Sequence, residues 1–350
     1  MGCLAAATAQ AQSALGTAAA APPSRPNPQA AKLDDTVGDA FNRVVIARWG
    51  DGVLPQAPVF NPYPLTGDQA DSQFPYDGVI VGLINPPPAE DGIPRKVLVV
   101  ATPDVPSRMV FPGGVDNPDV AGREQGVTII NLEYLGGRWV TEDGGYQSRR
   151  IADGTLCQMS GPAAAALDGT VQGVLAPRAG CPTPGGNVLL GESVGDVWLK
   201  RLANVGYGYA DPAQAPRFGW VVELNPLDPQ SIPIKRTALG RISRAGLVAT
   251  QTKDGRPVVF FTQEDPAGFL FRFIAATNAT DGTALDSGML SVAQIQGSAI
   301  QWLDLGTDVP TLAGLAGAAA QAGASPFDAP GGLALTQDGA TLYLACSGNA

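Results

Sequence analysis

Glycine or proline interrupts nearly every stretch of this sequence that is long enough to form an ordinary helix. The 350 residues include 44 glycines and 31 prolines, and both residue types weaken helix interiors. The segments between them are apolar and patterned, which argues against disorder. Only residues 309–324, which are rich in alanine, keep a helical pattern, and we expect a short helix there. The sequence therefore predicts an all-β fold.

Short strands recur along the chain and pair across turns. The clearest unit is a strand at Pro330–Leu335, a turn at Asp338-Gly339 and a second strand at Thr341–Ala345. Strand pairs repeat at intervals of roughly 40–50 residues, which is the period of a propeller blade. Other expected strands are 44–47, 78–83, 96–101, 126–132, 188–192, 196–199, 258–262, 268–273, 288–293 and 300–303. These units predict a β-propeller, and because the sequence stops directly after a strand we expect its ring to be incomplete.

Composition limits the partners and the chemistry of the chain. A net charge of −10 argues against nucleic acid or anionic lipid as the main partner. The complete lack of histidine excludes Ser-His-Asp triads, Cys-His pairs and histidine-ligated metals. No segment is long and apolar enough to span a membrane. The chemistry left to such a chain uses carboxylates, Lys, Arg, Tyr, Cys or a metal bound through oxygen.

Domain organisation follows from a change in composition near residue 40. Residues 1–32 are rich in Ala, Gln and Pro, and we interpret residues 1–40 as a disordered tail or the remnant of an export signal. Residues 41–350 are predicted to form one propeller domain. Export predicts a periplasmic or secreted protein, in which Cys157 and Cys181 could pair or remain buried thiols. The sequence does not indicate an oligomeric state.

Several stretches resemble the PhoX-type bacterial alkaline phosphatases. They include Trp49–Leu54, Arg149–Ile151 and Ser160–Ala164, and the most specific one runs from Arg217 to Arg241. The resemblance covers residues 45 to 348, which is most of the chain. It implies a six-bladed propeller that binds calcium and iron in a central site and hydrolyses small phosphate esters.

The chain departs from this family's pattern at several metal-site positions. Pro103 and Ala245 stand where the family has glutamates, and Arg178 stands where it has a cysteine that ligates iron. The remaining candidate metal ligands are Glu192, Glu264, Asp265 and Cys181. Carboxylates of this kind suit calcium, whereas an iron site would need a loop rearrangement that lets Cys181, three residues beyond Arg178, replace the missing cysteine ligand.

Two functions follow from these observations. The first is a metal-dependent phosphomonoesterase acting on a small phosphate ester. The second is a propeller that has kept the fold, lost catalysis and serves as a binding or scaffold module. Metal content and phosphomonoester hydrolysis distinguish them.

Overall fold

A computed structural model describes residues 37–348 except 39, 42 and 143. Its strands form three large sheets and two hairpin-sized ones. The first sheet contains β1 Val79–Ile84, β2 Arg95–Thr102, β3 Gly126–Leu135, β4 Arg138–Thr141 and β5 Arg149–Ile151. These strands pair in the order β1-β2-β3-β4, and β5 pairs with another part of β3. Every pairing in this sheet is antiparallel.

The second sheet is the widest, with six strands. They are β6 Leu156–Ser160, β7 Thr170–Gln172, β8 Ala179–Pro182, β9 Val188–Gly191, β10 Val221–Leu224 and β11 Ile234–Arg236. Their order is β7-β6-β11-β10-β9-β8, and only β6 and β11 run parallel. Consequently the strands at the two edges of this sheet are β7 and β8.

The third sheet is a five-stranded antiparallel meander. It contains β12 Arg244–Gln251, β13 Pro257–Gln263, β15 Leu270–Ala275, β16 Gly288–Gln296 and β17 Ala299–Asp304. Two further pairs are β14 Ala267–Gly268 with β18 Phe327–Asp328, and β19 Pro330–Leu335 with β20 Leu342–Cys346.

The sheets are arranged side by side and contact one another through β1, β8, β12 and β19. β8 packs between β1 and β12, and β12 packs between β8 and β19. One strand from each of four successive sheets therefore lines the middle of the molecule, as in a β-propeller. The expectation of an all-β propeller is confirmed by this arrangement and by the structural likeness reported below.

Alternation along β2 divides the core into two parts. Val97 and Val99 belong to the large hydrophobic cluster that joins the sheets. Leu98 and Val100 face the other way, into a small cluster with Ile130. Because successive side chains on a strand point to opposite faces, the first sheet is apolar on both sides.

The helices are short and lie between strands. They are α1 Gly67–Ser72, α2 Ser107–Val110, α3 Pro118–Glu124, α4 Asp196–Arg201, α5 Val309–Ala313 and α6 Leu315–Ala322. The helix expected within 309–324 is confirmed, although Gly314 divides it into α5 and α6. The expectation that this is the only helical region is wrong. Local caps explain part of the difference, since Thr66 closes a capping box on α1 and Asn117 caps α3.

Two expected strands are absent at their positions. Residues 196–199 form the first part of α4, which follows Gly195 in a left-handed conformation with φ 86°. Residues 44–47 form no strand; instead Ile46 and Ala47 pack against the small cluster on the first sheet. Tertiary packing explains only part of each apolar run, since Trp198 and Leu199 are buried in the large cluster whereas Val44, Val45 and Val197 are exposed.

The division into a tail at 1–40 and a propeller at 41–350 stays a prediction. Residues 1–36, which hold most of that tail and Cys3, lie outside the described residues. Among the described residues, no helix is long and apolar enough to cross a membrane.

Candidate functional site

Four strand ends meet at one end of the inner strands. β8 begins after Arg178, β9 ends before Glu192, β12 begins at Arg244 and β13 ends before Glu264. Because β8 and β9 are antiparallel, as are β12 and β13, these four side chains lie at the same end of the propeller. We call Arg178, Glu192, Arg244 and Glu264 the central site.

Arg178 links carboxylates from two other sheets. Its Nη2 is 2.8 Å from Oδ2 of Asp104, which follows β2, and its Nε is 3.1 Å from Oε1 of Glu264. All three side chains are about half exposed, with 40% for Arg178, 53% for Asp104 and 42% for Glu264. The guanidinium therefore occupies the space between two carboxylates that would otherwise repel each other.

Glu192 is held by the protein on both of its oxygens. Lys235 Nζ donates to Oε1 at 2.8 Å and to Oε2 at 3.1 Å, and both side chains are completely buried. The main-chain N–H groups of Leu175 and Gly219 also donate to this carboxylate, at 2.8 and 3.1 Å. Burial raises the pKa of Glu192, and Lys235 opposes that shift. Glu192 is thus fully hydrogen-bonded without any metal.

Lys235 is equally well satisfied. Besides Glu192, its Nζ donates to the carbonyl oxygen of Arg217 at 3.1 Å and lies 4.0 Å from the centre of the Phe218 ring. A buried ammonium needs such partners, because taking an isolated charge out of water is very costly. Lys235 therefore anchors Glu192 of the central site in the structural core.

Arg244 is a third basic group, and it is buried among main-chain oxygens. Its guanidinium lies 4.6 Å from the centre of the Phe261 ring. It donates hydrogen bonds of 2.5–3.0 Å to the carbonyl oxygens of Gly219, Leu239, Gly240 and Ile242. These bonds tie the start of β12 to the loop before it. The sequence pattern marks only the neighbouring Ala245 as a changed metal-site position and does not predict this role for Arg244.

Asp265 and Cys181 do not join the central carboxylates. The Asp265 carboxylate accepts a hydrogen bond from the Ala267 N–H at 2.9 Å, which stabilises the turn after β13. Cys181 lies on β8 beyond Arg178, and burial raises the pKa of its thiol to about 12. Cys157 is also a buried free thiol with a pKa raised to about 12, so the two cysteines are not bonded to each other.

The candidate metal-ligand side chains of the central site do not fit a centre with several metal ions. Among the described residues, no three Cys, Asp or Glu side chains come together in a way that could hold a metal ion. Calcium alone takes about 6–8 oxygen ligands. Of the predicted ligands, Glu192 is saturated by Lys235 and main-chain donors, and Glu264 is paired with Arg178. The metal role of Glu192, Glu264, Asp265 and Cys181 stays a prediction.

An open cleft of about 460 Å³ adjoins the central site. It is lined by the end of β13 at Gln263, Glu264 and Asp265, by Ser243, and by the junction of α5 and α6. Ser243 accepts a hydrogen bond from the Val194 N–H at 3.0 Å. The cleft therefore presents two carboxylates, an amide, a hydroxyl and the guanidinium of Arg241 at the end of the strands where Arg178 lies.

Comparison with known proteins identifies the family of this chain. The family model described as alkaline phosphatase PhoX matches residues 25–350. The chain belongs to the PhoX family. This confirms the resemblance inferred from the sequence motifs. Members of the family are metal-dependent and extracytoplasmic.

One solved structure shares the fold. It is Pseudomonas fluorescens PhoX in complex with vanadate, a transition state analogue, with a TM-score of 0.76 and 24% sequence identity. The match covers 86% of this chain and 63% of the neighbour, so the chain spans less than two thirds of that protein's length. The search of curated proteins found no match. At this identity the likeness establishes the propeller fold alone.

Proposed function

We propose that this chain is an extracytoplasmic PhoX-family propeller that acts as a binding or scaffold module instead of hydrolysing phosphate esters. In this proposal protein cations stand at the central site in place of metal ions. The module is periplasmic or secreted. The fold is kept because each sheet packs on its neighbours, and that packing does not depend on a metal centre.

The contact of Arg178 with both Asp104 and Glu264 carries this proposal. A guanidinium brings a fixed positive charge and five N–H donors, so it neutralises two carboxylates without needing a cation from solution. A metal in the same place would have to displace that charge or suffer repulsion from it. Bound metals would supply phosphoryl-transfer chemistry such as activation of a water nucleophile. Among the described residues, this site lacks the group of ligand side chains that would hold such metals.

A phosphatase assay with metal analysis tests the proposal. The full chain is purified after export, its calcium and iron are measured, and hydrolysis of p-nitrophenyl phosphate is followed with and without added Ca²⁺ and Fe³⁺. We expect less than one tenth of a metal ion per folded chain and no turnover above buffer. Stoichiometric metal together with turnover would overturn the proposal.

Phosphomonoester hydrolysis is the second candidate function, and one finding favours it specifically. The structural neighbour binds vanadate, a transition state analogue. The matching site in this chain would then take a small phosphate ester. Hydrolysis that is lost on chelation and restored by a single metal would support this second function over the first.

A further inference from the structure

A second cleft lies at the opposite end of the inner strands from Arg178. It sits between the second and third sheets, where β8 and β12 end and β9 and β13 begin. Its volume is about 370 Å³, within the range of about 300–1,000 Å³ that is usual for small-molecule sites. No part of the central site borders it, so it is a separate candidate site.

The floor of this cleft is apolar and formed by strands. Leu189 on β9, Val259 on β13 and the nearby Leu285 are almost completely buried. Ala249 on β12 is only partly buried and has a small side chain, which leaves room above it. Strand residues hold such a floor rigidly, so the cleft is available without rearrangement of the sheets.

Uncharged polar side chains form the rim. Thr250, Gln251 and Thr280 line the cleft, and within the described residues their side chains make no hydrogen bonds. Asn187 uses its Nδ2 to donate to Glu223 at 2.7 Å, which leaves its Oδ1 as an acceptor. Hydroxyl and amide groups can both donate and accept. The rim therefore suits a ligand whose own groups also do both.

Charge on the walls disfavours an anionic ligand. No lysine or arginine is among the described residues that line the cleft. Glu223 is its one ionisable wall residue, and Arg236 behind the wall pairs with both Glu223 and Asp286, at 2.6 and 2.7 Å. Two carboxylates and one guanidinium leave a net negative charge there. A phosphate would meet repulsion in a partly desolvated site.

We propose that this cleft binds an uncharged, hydroxyl-rich molecule of about disaccharide size. Its hydroxyl groups bond to the rim at Asn187, Thr250, Gln251 and Thr280, and its less polar face rests on the floor at Leu189 and Ala249. The inference deepens the proposed function and rests on it, because it gives the binding module a ligand class.

Titration calorimetry on the full chain tests the inference with trehalose, maltose and trehalose 6-phosphate as probes. We expect one site per chain for at least one of the two neutral sugars, with affinity at least tenfold higher than for the phosphate. Tighter or equal binding of trehalose 6-phosphate overturns the inference. So does the lack of saturable binding by both neutral sugars.

Two substitutions, each with a control, test whether the ligand binds in this cleft. Ala249→Phe fills the space above the floor and should abolish binding, whereas Ala299→Phe, at the exposed start of β17 in the same sheet, should not change it. Thr250→Val keeps the shape but removes a hydroxyl, and should weaken binding about three- to tenfold, with Thr250→Ser closer to wild type. Unchanged binding in Thr250→Val and Ala249→Phe overturns the assignment to this cleft.

The proposed function and this inference fail in different ways. A chain that hydrolyses p-nitrophenyl phosphate and still binds the neutral sugar at the cleft overturns the proposed function alone. A chain with neither hydrolysis nor sugar binding overturns the cleft inference alone.

Discussion

Two ion-pair systems in this propeller use similar groups in opposite surroundings. Glu192 of the central site and its partner Lys235 are wholly buried, with every polar atom of the pair close to a partner. Arg178, Asp104 and Glu264 are each about half exposed to solvent. Burial makes a pair costly to break, whereas solvent screening makes an exposed pair weak. The first system should therefore be structural, and the second should mainly set the charge of the central site.

The largest expected effect is the loss of the buried lysine. Lys235→Met leaves Glu192 as a buried charge with only two main-chain donors, and should lower the free energy of unfolding by about 3–5 kcal/mol. Urea unfolding followed by tryptophan fluorescence measures this. The double variant Lys235→Met/Glu192→Gln also removes the unpaired buried charge of Glu192. It should recover at least half of the lost free energy of unfolding. A single variant as stable as the wild type contradicts a structural role.

Asp153 differs from both systems because it is a buried carboxylate with no ion pair among the described residues. Burial raises its pKa from the ordinary value of 3.8 to about 6. The folded state thus favours the protonated acid, and this contribution to stability is present below pH 4 and is lost as the pH rises through about 6. This group should therefore destabilise the fold when it is charged, and, unlike Glu192, it has no lysine beside it in the described part of the chain to oppose the effect of burial.

Replacement of Asp153 should accordingly stabilise the protein at neutral pH. Asp153→Asn should raise the free energy of unfolding at pH 8 by up to about 3 kcal/mol, at about 1.4 kcal/mol per pH unit of the pKa difference. The advantage over wild type should shrink to nearly zero at pH 4. Melting temperatures of both proteins from pH 4 to pH 8 test this. A constant difference at every pH would show that the carboxylate's charge is not the cause.

The smallest stability effect is expected at the exposed system. Arg178→Ser should cost less than about 1 kcal/mol, since exposed pairs contribute about that much or less. Arg256→Ser breaks the comparably exposed Arg256–Asp254 pair and serves as the matched control. A loss above 2 kcal/mol in Arg178→Ser but not in Arg256→Ser would mean that Arg178 supports the fold.

Arg178→Ser should also bind divalent cations more strongly than the wild type, although its stability should change little. Without Arg178, the carboxylates of Asp104 and Glu264 face each other unneutralised, which favours a divalent cation. Terbium luminescence, with Tb³⁺ as a calcium probe, should show clearly stronger binding to Arg178→Ser than to wild type or to Arg256→Ser. Equal binding by all three proteins would contradict the neutralising role of Arg178.

The fold was largely predictable because its signal is local. Strands such as 96–101 and 258–262 are apolar runs bounded by turns, and they form β2 and β13. The segment at 196–199 has the same kind of apolar pattern. It nevertheless forms a helix, in which Trp198 Nε1 donates to the carbonyl oxygen of Pro103. That contact joins residues nearly a hundred positions apart, and no local pattern reveals it.

The central site was predictable only in part, for a similar reason. The sequence shows which ligand positions have changed, including Arg178. It does not show that Arg178 reaches Asp104 and Glu264, or that Glu192 is matched by Lys235, because these partners come from different sheets. Ion pairs between sheets depend on tertiary geometry. The residue types alone therefore do not distinguish a carboxylate that binds a metal from one that is paired with a basic side chain.

A crystal structure of the full chain, grown with calcium and iron and measured at wavelengths that give anomalous signals for both metals, tests the central claim most directly. We expect continuous density for the Arg178 guanidinium between Asp104 and Glu264, with Lys235 bound to Glu192 and no anomalous peak at the central site. An anomalous peak bound by Glu192 or Glu264, with Arg178 turned away, would contradict the central claim.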